Sequence, residues 1–577
     1  MSTTIKDSAK ASTSESVFRI ANTKTSALDR FTDFFSDQLS PILIKETRQS
    51  LKSRQFFWTF FVLLLSVVLW TTIGLSNHDA SIEFGTTGAS LLVGYWVILG
   101  IPLAIIIPSG AYRSLSREFE DGTIQLVSVT TMNAWQIIAG KLGSAMLQML
   151  VYVSVFAPCI AFTYLLRGLS IPQIFLGMLF IVVGCFGLTC VSLFFAGANR
   201  SRLFGVGTSI LLILFQILVW ITWCSVAGAI AYGEFAVIVR EEGAFISFSA
   251  IAFMLSTGML MFAGASSLIS FEADNRSTLV RVMMLLQQFL IIAFCACSIL
   301  SFGDFEGVFI MSMFTAHYWF LMGLVLVGEP EQLSARVKRS IPKSYLGRAV
   351  TAFFLPGSGR GLLFAVCNMW LCIAIFTIIH LVAPWIPEST GSIVNWGRTN
   401  NLTDWSSGTR IVIASCLAAI YPTFYLSLIY LFFSRLRKHG YKVTGRLGLL
   451  IGLLLVASIS GSLLLFHYNI LQDDRWQFYS IEQTLNWHWT ATEFANNGFA
   501  SGNLLMITTV VALMSAVCAI AILRASKELF QEQVATPERV HEENKRMQKF
   551  DRPPPGETID DIFAEQDDRD SSTNSLE

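Results

Sequence analysis

Long stretches of this chain carry no charge at all, and that feature constrains its fold more than any other. Phe56 to Leu75, Ser90 to Ser109 and Val282 to Phe302 each run twenty residues or more without Asp, Glu, Lys or Arg. At about 1.5 Å of rise per residue, twenty helical residues match the roughly 30 Å hydrocarbon thickness of a bilayer. Backbone amides in hydrocarbon find no water, so such runs satisfy their hydrogen bonds internally, as helices. Composition agrees: 53% of the 577 residues are hydrophobic and 14% charged, against about a quarter charged in an average soluble domain. The expected fold class is an all-α integral membrane protein.

Twelve spans are expected, at roughly 56–75, 90–110, 137–166, 172–198, 203–232, 246–270, 282–302, 307–327, 361–386, 410–433, 447–467 and 501–523. Basic residues concentrate in alternate connections. The segment 434–446 holds Arg435, Arg437, Lys438, Lys442 and Arg446, whereas the longer 468–500 holds only Arg475. Retention of Lys and Arg on the cytoplasmic side then places both termini in the cytoplasm. The first thirty residues are polar, with no apolar core behind a basic start, so no cleavable signal peptide is expected. All ten cysteines fall in or beside apolar spans, so structural disulfides are not expected; buried cysteine behaves there as a small hydrophobe.

The expected organisation is a polar, disordered tail over 1–39, an amphipathic interfacial helix over 40–55 and a six-span unit over 56–270. A second membrane unit follows over 271–523, with external segments 387–409 and 468–500, and then a tail over 524–577. From Asp551 onward that tail contains Pro553, Pro554 and Pro555, with nine acidic against two basic residues, a composition that stays disordered. Trp385, Trp396, Trp405, Trp476, Trp487 and Trp489 gather at the external segments. They read either as an interfacial aromatic belt or as a small cap or stacking surface.

Chemistry of its own is hard to find in the chain. Near the middle of the spans only His317 and His380 are ionisable, and no partner for a proton relay is visible in the sequence. There is no HExxH metal motif and no GxSxG nucleophile turn. Gly140-Lys141 is followed by Leu142, so it is no phosphate-binding loop. No catalytic, cofactor or metal residue is expected, no nucleic acid partner is implied by zero net charge, and any ATP site must lie on another chain.

The positive signal runs from Tyr112 to Lys141. A charged helix end, Arg117-Glu118-Phe119-Glu120-Asp121, stops at Gly122, which tolerates the left-handed backbone of a helix terminus. Thr123 then opens a short amphipathic stretch with Ile124, Leu126, Val127 and Val129. Asn133 caps the next helix, which carries Trp135, Gln136, Gly140 and Lys141. Upstream, Pro41 to Phe56 forms a basic amphipathic helix. Leu43, Ile44, Thr47 and Leu51 share one face, and Lys45, Arg48, Lys52 and Arg54 are available to lipid head groups.

These two segments resemble type-2 ATP-binding-cassette transporter permeases: Arg117-Glu118-x-Glu120-Asp121-Gly122-Thr123 with Trp135 and Gly140-Lys141 is similar to the family's inner coupling loop. Pro41, Lys45, Glu46 and Arg48 sit in a stretch similar to its interfacial helix. The resemblance covers about 40–270. It implies a permease without its own nucleotide site, coupled through Arg117, Glu118, Glu120, Asp121, Gly122, Thr123, Trp135, Gly140 and Lys141 to a separate ATP-binding subunit that carries ATP and Mg. It further implies an exporter in the inner cell membrane of a bacterium, in contact with membrane lipid. Two arrangements stay open: two fused permease units with a degenerate second coupling loop, or a six-span permease unit followed by an accessory six-span bundle, with a second copy or another permease chain completing the transporter. The second half lacks both motifs. Rival readings are an ion-coupled secondary transporter and a membrane scaffold that recruits an ATPase.

Overall fold

A computed structural model of the chain describes residues 41–76, 87–123, 132–166, 169–199, 202–232, 241–271, 274–302, 307–330, 333–339, 341–342, 344–382, 405–441, 448, 451–452, 484, 486–496 and 501–527. These residues are helical or lie in turns, with no strand among them. Among the described residues eleven helices are long and apolar enough to cross a membrane, the architecture of an all-α multi-pass membrane protein. They coincide with eleven of the twelve expected spans; the remaining one, 447–467, falls almost wholly outside the described residues, as do both tails, segment 387–404 and residues 124–131.

In order, the helices are α1 (Pro41–Leu51), α2 (Arg54–Ser76), α3 (Thr87–Ile101), a π-helical turn (Pro102–Ile106), α4 (Ile107–Glu120), α5 (Ala134–Leu165), α6 (Ile171–Ala198), α7 (Arg202–Ala231), α8 (Glu241–Ile269) and α9 (Thr278–Phe302). They continue with α10 (Gly307–Val327), α11 (Ala335–Arg339), α12 (Tyr345–Ala352), α13 (Ser358–Val382), α14 (Trp405–Lys438), α15 (Trp487–Asn496) and α16 (Ser501–Ser526). The contacts divide the chain into two units. The first comprises the chain to Ser270 with Leu279–Phe294 of α9; the second comprises Phe271–Thr278 and everything from Cys295.

Apolar residues surround α2 completely, yet only Leu63, Val67 and Gly74 are buried, while Phe57, Trp58, Phe61, Val62, Val68 and Leu69 are exposed. A helix apolar on every face, with one narrow packed stripe, suits a lipid surround. Inside the first unit, small residues let helices meet closely. Gly94 of α3 lies against the Trp70 indole, and a Cβ at Gly258 of α8 would come within 2.7 Å of Phe186 Cε1 on α6. Tyr95, Trp96, Leu99, Tyr152 and Phe156 fill the core between α2, α3 and α5.

The π turn has a local cause. Pro102 offers no N–H to the preceding helical turn, and the chain takes up the gap with a π-helical turn. One turn earlier, α7 binds the α3 backbone: Trp223 Nε1 donates to Trp96 O at 3.2 Å and Trp220 Nε1 to Val97 O at 3.1 Å. Further along, Ser109 donates to Gln216 Oε1 at 2.7 Å and Gln216 Nε2 to Ser192 Oγ at 3.2 Å. This buried polar seam joins α4, α7 and α6.

In the second unit α10 packs against α13 and α14, and α14 against α15 and α16. Trp319, Phe364, Phe376, Tyr421 and Phe433 are fully buried. Arg437 closes the end of α10: its Nη2 donates to Val327 O at 3.1 Å and Glu329 O at 2.8 Å, and its Nη1 to Ser358 Oγ at 2.7 Å. Carbonyls at a helix C-terminus lack intrahelical donors, and one guanidinium supplies them here.

Candidate functional site

The two motif-bearing segments of the sequence meet in the first unit. Helix α1 lies on α5, and the contact depends on two glycines. A Cβ at Gly140 would come within 2.9 Å of Ile42 Cγ2 and 3.3 Å of the Leu43 backbone nitrogen; one at Gly143 would meet Leu43 Cδ1 at 2.9 Å. With the helices this close, Lys141 reaches α1 and α4 together. Its ammonium lies 2.9 Å from Glu46 Oε1, 3.0 Å from Glu118 Oε1 and 2.8 Å from Ser114 Oγ. Ser114 in turn donates to Glu46 Oε2 at 3.0 Å. Ser50 Oγ and Ser144 Oγ approach to 3.3 Å beside them.

The Lys141 side chain is 2% exposed. Burying an ammonium costs several kcal/mol unless charged partners surround it, and here two carboxylates and a hydroxyl do so. Charge-assisted hydrogen bonds of this kind fix geometry as well as energy. The cluster therefore locks α1, α4 and α5 into one rigid corner. Lys45, whose side chain is largely exposed, lies 4.0 Å from Glu118 at the rim.

The expected coupling residues separate into two sets. Glu118, Gly140 and Lys141 turn inward and hold the corner together. Arg117, Glu120, Asp121, Gly122, Thr123 and Trp135 are exposed. Gly122 has φ +69°, the left-handed geometry that its place after α4 calls for, and Thr123 Oγ1 donates to Glu118 O at 3.3 Å across that turn. Gln136 accepts from the Asn133 backbone N–H at 2.9 Å, so the start of α5 is capped reciprocally. The short amphipathic stretch after Thr123 lies outside the described residues.

The interfacial helix differs from its sequence reading in one respect. Ile42 and Leu43 pack on α5, while Ile44 and Leu51 are exposed. The shared face expected for Leu43, Ile44, Thr47 and Leu51 is thus divided, because Gly140 and Gly143 draw Leu43 away toward α5. Pro41, Lys45 and Arg48 are exposed. Glu46 is drawn inward, and its pairing with Lys141, 95 positions away, was not legible in the sequence; nor was the role of Ser114.

A second arrangement appears in the second unit. His317, in the middle of α10, has its Nε2 2.8 Å from His488 Nε2 on α15, and its Nδ1 2.6 Å from Met313 O. Since a carbonyl only accepts, the Nδ1 carries the proton, and His488 donates to His317 Nε2. Trp487 lies 4.4 Å from the His317 ring and 5.6 Å from Phe320. Burial, together with the neighbouring His317, holds His488 down at about 4. The sequence offered no partner for His317 because His488 is 171 positions away. Trp487, read as part of a belt or stacking surface, is buried in helix packing instead. No three His, Cys, Asp or Glu side chains converge as metal ligands among the described residues.

No protein-family model, curated protein or solved structure matches the chain.

Proposed function

We propose that this chain is the membrane-spanning permease of an ATP-driven exporter, served by a separate ATP-binding subunit that carries ATP and Mg. The observation that carries the reading is the Lys141–Glu46–Glu118 corner with an exposed rim of Arg117, Glu120, Asp121, Gly122, Thr123 and Trp135. A docking surface that receives force must be accessible at its tip and stiff behind it. The rim supplies charge, hydroxyl and an aromatic face to a partner, and the buried ion cluster transmits a push on α4 into α1 and α5. From α4 the displacement reaches the spans through the Ser109–Gln216–Ser192 seam. The protein forms no covalent bond in this reading. An apolar or amphipathic cargo suits spans whose interiors lack formal charge.

Affinity purification of tagged protein from its native membrane tests the proposal, with Glu120→Lys/Asp121→Lys as the comparison. Both side chains are exposed, so the variant is expected to fold normally. A nucleotide-binding protein recovered with the wild type and lost from the variant supports docking at the rim. No such protein after gentle solubilisation overturns it. An ion-coupled transporter is the rival that a specific observation favours, since His317 and His488 form a half-buried ionisable pair. Transport in vesicles driven by a proton gradient in the absence of ATP would establish that rival.

A further inference from the structure

Helix α15 is ten residues long and packs on the much longer α14. Its own fold is secured locally, because Asn486 caps it: the Asn486 Oδ1 accepts from Trp489 N at 3.3 Å and its carbonyl from Thr490 N at 3.0 Å. What it presents to the surrounding helices is aromatic and imidazole. Ala491 and Phe494 are buried, Trp487 packs on Phe320 of α10, and Tyr421 of α14 donates to Thr484 O just before the helix begins. Toward α10 its polar contact is the bond between His488 and His317.

That bond tolerates a limited number of protons. Met313 O accepts from His317 Nδ1 at 2.6 Å, so the His317 Nε2 lone pair faces α15 and receives the His488 Nε2 proton across 2.8 Å. One added proton keeps the bond, as an imidazolium donating to an imidazole. A second sets N–H against N–H and places two positive charges side by side. Neither α10 nor α14 contains an acidic residue to offset them. Glu493, the acidic residue of α15, lies five positions beyond His488 on another face of the helix. The titratable side chains near the pair on α10 and α14, Tyr318, Tyr421 and Tyr425, are phenols that stay neutral in acid. The charged residues of α14 stand toward its ends, at Arg410 and from Arg435 to Lys438, and are all basic.

We infer that the His317–His488 pair is a proton-operated latch: neutral, it holds α15 against α10, and with both rings protonated it releases α15. Once released, each ring regains water and takes up its proton near the ordinary value of about 6.5. While α15 is docked the pair takes up one proton fewer, since burial and the neighbouring His317 hold His488 down at about 4. The state that binds more protons gains as pH falls, so acid favours release. The latch stands whether the chain is driven by ATP or by an ion gradient.

Hydrogen exchange read by mass spectrometry on the full chain in lipid nanodiscs tests it, with rates corrected for the chemical effect of pH on amides. Lowering the pH from about 7.5 to about 5 should speed exchange of 487–496 about tenfold, the consequence of a one-proton difference acting below about 6.5. Peptides of α14 around Tyr425 should not change. His488→Gln and His317→Gln each keep a hydrogen-bonding side chain but leave a single titrating ring, so both should stay protected at the two pH values. Wild-type exchange of 487–496 that does not respond to pH overturns the inference. An acid response that survives in both variants overturns it too, because another group then carries the response. Fast exchange of both variants at neutral pH also overturns it, and reduces the pair to a packing contact.

Discussion

Lys141 is one positive charge between two carboxylates, and removing it leaves Glu46 and Glu118 facing each other with little water. Lys141→Met is therefore expected to destabilise the protein by about 3–5 kcal/mol, the usual cost of breaking a buried pair. Adding Glu46→Gln to that variant removes one orphaned charge and should recover part of the loss. Thermal melts of the two single variants and the double variant give the coupling energy; additive effects would show that the residues do not act as a cluster. Arg437 is a parallel case with a different requirement. Its planar fork meets Val327 O, Glu329 O and Ser358 Oγ at once, a geometry lysine lacks. Arg437→Lys should lose about 2 kcal/mol despite keeping the charge, as read from the midpoint of a melt. At this scale the sequence was partly legible. Gly122 could be assigned its left-handed backbone because a charged helix ending before a glycine is a local pattern. Glu46 could not be assigned to Lys141, because nothing local distinguishes an acid that turns inward from one that faces water.

Helix α15 shows what an element gains from its partner. Read alone, Trp487-His488-Trp489 is an aromatic cluster suited to an interface; packed on α14, its His488 meets α10 at the middle of that helix. The consequence is a dependence on pH. His488 titrates at about 4 here and near 6.5 when unconstrained, so between those values the unfolded chain binds more protons. The contribution of His488 is complete above about 6.5 and is lost as pH falls toward 4. The melting temperature should drop across that window in the wild type and drop less in His488→Gln. Parallel curves for the two proteins would remove the histidine pair from the account. The eleven described spans were legible: charge-free runs of twenty residues leave the backbone one way to satisfy itself. The insertion of α15 was not, because a ten-residue amphipathic helix has many surfaces on which to lie.

At the scale of the whole chain, the distribution of basic residues along the sequence predicts an orientation. If Lys and Arg are retained on one side, the rim at Thr123 and the end of α14 at Tyr441 share that side. Cysteine substitutions at these two exposed positions, labelled in sealed vesicles by a reagent that does not cross the bilayer, should react or stay silent together. Opposite behaviour would break the alternation of spans. The sequence by itself determined that the chain is helical and lies in a membrane, and where eleven helices run, because burial in lipid and hydrogen-bond closure depend only on consecutive residues. It also marked the segment proposed to couple, since a charged end, a glycine and a capped start are neighbours in the chain. Which of those residues are exposed and which hold the corner together was decided by the tertiary structure alone. Gly140 and Gly143 admit α1 close enough for Lys141 to reach Glu46, and an ion pair between segments 95 positions apart exists only once packing has brought them within 3 Å.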